Sequence, residues 1–468
     1  MDHSLPKYQL LEDEIEQGIV DGRWKCGERL PSIRTLCDLH GCAKITIQHA
    51  LQRLEAKGLI ESRERAGFFV TYEKEKFDTP CRMECIESPK PVSVSELFRD
   101  IMTRSAAFDL TPNLHTGEMP QGIVQLNRSI GRALRRQKGD FQYYDEPAGD
   151  PGLRHQLAML LAKRGWTGDA SEVCITSGCQ QSIFLALLTV CSEGDVVAVE
   201  SPGFYGVLQL LEQLKLKVIE VPTSLQTGMD INALSDILNQ WNVRACVVQP
   251  AFATPGGSVM PRAARTRLIE LAEEHDLAII EDDIYAETGW AGIPDTLKSL
   301  DHSGRVIHCS SLSKVLSRDL RLGWVCGGRW HSAILQMKLT SQLASSRFVQ
   351  QGVETYIKEG DFAAFLRKLR FRLRKQRDQL LEHLANCPLA VRTTAPQGGL
   401  AVWVEFPGAI NTIDIYSKAL DEGIVITPGN LFSGSDRFGN CLRISFAHPW
   451  DNQRTRALTR ILELVQDP

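Results

Sequence analysis

Lys314 stands out for the company it keeps. In "CSSLSKVLSRDLRLGW", from Cys309 to Trp324, it follows a strand-like apolar run, has Ser311 and Ser313 beside it, and has Arg321 seven residues on. A lysine amine attacks an aldehyde only when neutral, so it needs surroundings that lower its pKa. A ligand carrying both an aldehyde and a phosphate would also need an anion cradle next to that amine. Ser311 and Ser313 offer hydroxyls, and Arg321 can grip a phosphate through two donors. A second cradle lies in "CITSGCQQSIFLAL", read as strand, small polar turn and apolar helix. The free N–H groups at that helix start, with Ser177, Gly178 and Cys179, form an anion site. "IIEDDIYAE" closes an apolar strand with Asp282, Asp283 and Tyr285, where open α/β sheets bind their ligands. Taken singly, each has a plainer reading: a solvated lysine, a capped helix, a solvated loop.

The elements that would position these residues are legible in the texture of the chain. "SEVCIT", "DVVAVES", "VRACVVQP", "LAIIEDD" and "RVIHCSS" are short apolar runs separated by helical or loop segments. Runs apolar on both faces predict an α/β fold with a mostly parallel sheet covered by helices. Past residue 330 come long charged helices and then "LAVWVEF" and "NCLRISFA", which predict a smaller α+β subdomain over about 335–468 within a domain spanning 93–468. Residues 73–92, with three prolines and many charges, read as a linker.

Residues 5–72 have a different order: helix, helix, helix, hairpin. "YQLLEDEIEQGIVDG", "LPSIRTLCDLHG" and "AKITIQHALQRLEAKG" each carry apolar residues at helical spacing and end at glycine. "LIESRERAGFFVTYE" reads as two strands around a charged turn. This is the winged helix-turn-helix plan, whose recognition helix enters the major groove of DNA. On that helix Lys44, Thr46, Gln48 and His49 would reach bases or phosphates. Ile45, Ile47, Ala50, Leu51 and Leu54 would supply packing surface. Residues 22–67 hold nine Lys or Arg against five acids, a local excess of +4, enough to neutralise a few phosphates. A small helical protein-interaction domain is the bland alternative.

The bulk numbers set limits. The chain has 468 residues, 43% hydrophobic and 24% charged, with a formal net charge of -4. It is therefore expected to form two or three domains and not to coat polyanions wholesale. Its 13 cysteines are scattered without zinc-site spacing, so no metal is expected, and a reduced, cytoplasmic setting is. No signal peptide or membrane span is expected.

Two resemblances join these observations. "LPSIRTLCDLHGCAKITIQHALQRLEAKGLIESRERAGFFV" resembles the GntR-family DNA-binding domain. The resemblance implies a double-stranded DNA operator, with Arg34 on the phosphate backbone, Lys44, Thr46 and Gln48 in recognition, and Arg65 and Gly67 in a wing near the minor groove. Ala43-Lys44 stands where that family has Ser-Arg, and Gln48 where it has a later Arg. "YYDEPAGDPGLR", "TSGCQQ", "ESPGFYG", "TPGG", "DDIY", "SSLSKVLSRDLRLG" and "LRISFA" resemble, in order, the fold-type-I pyridoxal-phosphate enzymes of the aspartate aminotransferase class. The combination is similar to the MocR/GabR regulators.

The second resemblance implies pyridoxal 5'-phosphate bound as an aldimine to Lys314. It also implies Asp282 at the pyridine nitrogen, Tyr285 on the phenolic oxygen and Phe204 stacked on the ring. Ser177, Gly178, Cys179, Ser311 and Arg321 would hold the phosphate, and Ser313 would join the cofactor shell. Tyr144 would reach the partner subunit's cofactor in a head-to-tail homodimer, and Arg443 would clamp a substrate carboxylate. Thr254 replaces the usual Asn of Asn-Pro-x-Gly. The expected function is a transcription regulator sensing an amino acid, an amine or the vitamer itself. An active aminotransferase with an appended DNA-binding module, and a cofactor-free dimerisation scaffold, are the alternatives.

Overall fold

A computed structural model describes residues 7–20, 23–25, 27–56, 59–63, 67–71, 86–93, 99–100, 110–111, 119–137, 142–408, 410–435 and 437–466. The chain divides into two compact units, Met1–Asp78 with Trp290–Gly292, and Thr79–Gly289 with Ile293–Pro468.

In the first unit, α1 (Lys7–Val20), α2 (Ile33–His40) and α3 (Lys44–Ala56) precede an antiparallel pair, β1 (Ile60–Arg63) and β2 (Gly67–Val70). Ser32 caps α2 by accepting from the Thr35 N–H at 3.1 Å. Gly41, at φ 58°, turns the chain out of α2. Ile47, Ala50, Leu51 and Leu54 recur at helical spacing on α3 and are buried against Leu11, Ile15, Ile19 and Leu36. Ile45, expected among the packing residues, is instead 77% exposed. It lies about 200° around α3 from Ile47, so the two cannot share a face. The charged turn between β1 and β2, with Arg65, lies outside the described residues.

The second unit carries β3 (Lys90–Pro91), β4 (Val173–Thr176), β5 (Val196–Ser201), β6 (Lys217–Ser224), β7 (Gly228–Met229), β8 (Val243–Val248), β11 (Ala278–Asp282), β12 (Val306–Ser311) and β13 (Gly323–Cys326) in one sheet. A short hairpin, β9 (Ala251–Ala253) with β10 (Ser258–Val259), lies between β8 and β11 in sequence. The sheet order is β3-β6-β5-β8-β11-β12-β13-β4, with β7 on β6. The β6, β5, β8, β11 and β12 pairings are parallel, and β13 runs against both its neighbours.

Both faces of this sheet are covered, which explains why its strands are apolar throughout. Val197, Val199, Val247, Ile280 and Ile307 point into one core, while Ala198, Cys246, Val248, Ile279 and Val306 point into the other. Helices Cys179–Val190 and Tyr205–Gln213 pack on the first face, and Ile231–Gln240 and Arg262–Glu274 on the second. A separate antiparallel sheet of β14 (Arg392–Thr393), β15 (Ala401–Glu405) and β16 (Cys441–Ser445) places Arg443 opposite Trp403.

The stretch read as a linker differs at its end. Residues 73–85 of it lie outside the described residues, but Lys90–Pro91 pair with Val218 and Lys217 at the sheet edge. Ile86 and Val92 pack on the two cores, and Lys90 Nζ donates to Ser435 Oγ at 2.8 Å. A two-residue edge strand leaves no period to read, and proline is tolerated there because that edge needs no donor.

Candidate functional site

The sheet register gathers the chemistry at one edge. Asp282 pairs with Cys309, Ser311 with Gly323, and Gly323 with Thr176. The C-terminal ends of β4, β11 and β12 therefore open together, as parallel sheets present their ligand sites. Above them lies a cleft with about 600 Å3 of space, part of it open to solvent. Its walls include Gly178, Cys179, Phe204, Asp282, Tyr285, Ser311, Ser313, Lys314 and Arg321. Residues up to 143 positions apart in sequence, from Gly178 to Arg321 and all singled out by type and motif, meet there.

Lys314 is placed to act as a nucleophile. Burial first, then the positive charges of Arg318 and Arg443, pull its amine down to about 7, so a large share is neutral at physiological pH. Its Nζ lies 6.0 Å from the Tyr285 ring centroid. The Tyr285 phenol is buried and pushed up to about 12, chiefly by that burial, so it remains a hydrogen-bond donor.

Asp282 is buried at the end of β11, and both its oxygens are engaged. Oδ1 accepts from Cys179 Sγ at 3.1 Å and from the Ile284 N–H at 3.3 Å, and Oδ2 accepts from Gln249 Nε2 at 2.7 Å. Burial raises its pKa, against the pull of the Cys179 and Gln249 donors. Asp283 faces away from the cleft. Burial works against its charge, but Arg164 and His308 outweigh that and hold the carboxyl well below the usual range. Arg164 NH2 donates to Asp283 Oδ1 at 2.9 Å, and His308 Nε2 sits 3.0 Å from Oδ2. The paired aspartates thus divide between cleft and foundation.

The anion end fits a phosphate. Gly178 has φ 129°, a conformation that favours glycine, and the Arg321 guanidinium closes over the turn, its NH2 3.1 Å from where a Cβ would stand. Helix Cys179–Val190 starts at that point and offers its free N–H groups. Arg321 itself adopts a left-handed backbone, φ 46°, and Ser311 Oγ accepts from the Ser313 N–H at 3.2 Å. An amine near neutrality, a buried carboxylate and a glycine-lined cationic cradle fit pyridoxal phosphate.

Several expected residues stand elsewhere. Ser177 is not in the cleft wall; its hydroxyl accepts from Gln342 Nε2 at 2.5 Å. Thr254 and Arg443 lie one shell out, joined by Arg443 Nε donating to Thr254 Oγ1 at 3.2 Å. Tyr144 is 79% exposed, away from this cleft, with Arg347 NH2 on its carbonyl at 3.3 Å. Phe204 lines the cleft, whereas Tyr205 is buried behind it.

Gln249 was missed by motif reading. Its side chain donates to Asp282, its Oε1 accepts from the Thr254 N–H at 2.9 Å, and its own N–H donates to Glu200 Oε2 at 2.9 Å. Glu200 is buried and raised to about 8 by that burial. The signal was present: each is a polar residue ending an apolar strand run, in "VVAVES" and "VRACVVQP", as Asp282 is.

On the first unit, Lys44, Ile45, Gln48 and His49 form the exposed side of α3, and Thr46 is half-buried. The His49 ring lies 4.5 Å from that of Tyr8, centroid to centroid. Arg34 is exposed on α2, and Gly67 opens β2 at φ 100° with the Arg29 side chain beside it.

Comparison with known proteins places both units. Residues 111–461 match the aminotransferase class I and II model, and residues 7–70 the model of bacterial regulatory proteins of the gntR family. The uncharacterized HTH-type transcriptional regulator YjiR of Escherichia coli is 33% identical over 98% of this chain and 99% of its own. The HTH-type transcriptional regulator TauR of Rhodobacter capsulatus is 26% identical over 90% of this chain and 88% of its own. Among solved structures, the kynurenine aminotransferase of Pyrococcus horikoshii superimposes with a TM-score of 0.71 at 26% identity, covering 80% of this chain and 95% of that one. No helix among the described residues is long and apolar enough to cross a membrane.

Proposed function

Because the chain belongs to the aminotransferase class I and II family, with a gntR-family region ahead of it, we propose that it is a DNA-binding transcriptional regulator that works through bound pyridoxal phosphate and responds to an amino acid or amine. The observation that carries the reading is the pairing, within one chain, of a buried lysine held near neutrality opposite a buried aspartate and an exposed recognition helix bearing Lys44, Gln48 and His49.

Bound in the cleft, the cofactor supplies an aldehyde for amines to condense with and a ring that withdraws electrons. Lys314 Nζ provides the neutral amine that holds it. Asp282 holds a proton at the ring nitrogen, steadied by Cys179 and Gln249. Tyr285 would donate to the phenolic oxygen, and Phe204 would pack against the ring. Gly178, Cys179, Ser311 and Arg321 bind the phosphate, with Ser177 and Ser313 supporting them. Arg443, oriented through Thr254, receives an effector carboxylate. Tyr144, exposed and remote from its own cleft, is offered to a second copy in a homodimer, the symmetry that two-fold operators require.

On DNA, Arg34 holds a phosphate while Lys44, Thr46, Gln48 and His49 face the major groove and Gly67 carries the wing. An effector acts only through a difference in its contacts between two states of the protein.

The test uses full-length, cofactor-loaded protein and a duplex it selects from a random pool. A panel of amino acids and polyamines should contain a compound that changes affinity for that duplex, and Lys314→Ala should not respond to it. Affinity indifferent to the cofactor and to every amine defeats the regulator reading. Sustained keto-acid production from an amino acid would give the aminotransferase reading instead.

A further inference from the structure

Helix Asp361–Ala385 carries a run that the cofactor site does not use. Between residues 367 and 375, "RKLRFRLRK", six of nine residues are cations and none is an acid, in a chain whose formal net charge is -4. Leu369 and Leu373 turn inward, and Arg370 pairs with Glu287 at 2.7 Å. Arg367, Lys368, Arg372, Arg374 and Lys375 lie on the exposed side and have no acidic partner among the described residues. Phe371, 74% exposed in their midst, shows that this face is uncovered.

An ordinary solvated helix face intersperses both signs. Here Lys368 and Arg372 stand at i and i+4, and Arg372 and Lys375 at i and i+3, where like charges lower helix stability. A face that keeps such repulsion suits a ligand that supplies the missing negative charge. The five cations span about 12 Å of helix axis, the length over which a duplex strand presents several phosphates.

We propose that the outward face of helix Asp361–Ala385 is a second DNA-contact surface, taking the phosphates of duplex that flanks the operator. This rests on the DNA-binding regulator reading. Duplex DNA is the favoured anion because an operator bound by the same chain is tethered to this helix through that chain's covalent backbone, raising its effective concentration, an advantage that a free acidic protein lacks. The contact carries no base information; it adds affinity and salt dependence.

The experiment compares two duplexes with full-length, cofactor-loaded protein: the pool-selected site alone, about 20 base pairs, and the same site with flanks, about 60 base pairs. With each phosphate neutralised adding about 0.9 to the slope of log K against log salt, two flanking contacts should steepen the slope for the long duplex by roughly 2. Near 50 mM salt the long duplex should bind roughly tenfold tighter. The combined Arg367→Gln, Lys368→Gln, Arg374→Gln and Lys375→Gln variant should lose that difference while keeping parental affinity for the short duplex and parental cofactor absorbance. Equal slopes for the two duplexes in the parent overturn the proposal and leave the regulator reading standing. So does a folded variant that retains the gain from the flanks, which would place the flank contact on another surface. Failure of the parent to bind either duplex overturns both.

Discussion

The two units handle charge in opposite ways. In the first, Lys44, Gln48 and His49 stand in water on α3, outside a core built largely of leucine and isoleucine. In the second, Lys314, Asp282, Tyr285 and Glu200 are enclosed, and burial is the leading cause of every shift among them. The difference follows from the two tasks. Binding a polyanion exchanges counterions, which requires solvated, fully charged groups. Holding a lysine as a nucleophile requires the reverse, a site where charge is disfavoured.

The sharpest way to break that contrast is at the lysine. Lys314→Ala should abolish the visible absorbance of lysine-bound cofactor entirely; a borohydride-reducible adduct that persists would assign the bond to another lysine. With the native residue, capture of pyridoxal phosphate by the cofactor-free protein should speed up as pH rises through about 7, as the neutral amine fraction grows. A rate that climbs only near pH 10 would mean that the site does not depress the amine.

The head offers a test of packing against exposure. Ile47→Ala, deep in the core, should cost about 2–4 kcal/mol of stability, while Ile45→Ala on the outer face should cost under about 0.5 kcal/mol, both read by denaturant unfolding. Similar losses for the two would contradict the placement of α3. Next in size, Arg34→Ala should weaken binding to all duplexes alike, by about 1 kcal/mol, and lower the salt slope by roughly 1. A loss confined to one sequence would make Arg34 a base reader.

A pH-dependent effect is expected at Glu200. Its folded-state pKa, about 8, lies above its ordinary 4.5, so the folded protein keeps a proton that the unfolded chain releases between those values. Stability contributed by that group is full below about pH 4.5 and lost as pH rises toward 8. Glu200→Gln should therefore gain a few degrees of Tm relative to the parent on going from pH 5 to pH 8. A difference that does not change with pH would mean that Glu200 ionises freely.

Much of this was open to sequence reading because the relevant signals are local. A helix start after a Ser-Gly turn, carboxylates closing an apolar strand and Lys314 between serines each mark a strand end. Ile45 misled because apolar type was read without its angle around α3. Ser177 follows from its motif, but its tie to Gln342, 165 residues away, is visible only in the structure. Gln249 escaped because a lone glutamine has many uses, and its three partners come from β5, β11 and the loop after β9.

Sequence alone determined the element order, the two-faced apolar strands and the chemical types gathered at the strand ends, since each depends on a few consecutive residues and their periodicity. Tertiary structure alone decided which of two adjacent aspartates enters the cleft, how far Lys314 is desolvated, and that Gln249 links Asp282 to Thr254. Those properties depend on what surrounds a group in space, and burial and hydrogen bonding across distant segments have no signature in the residues on either side.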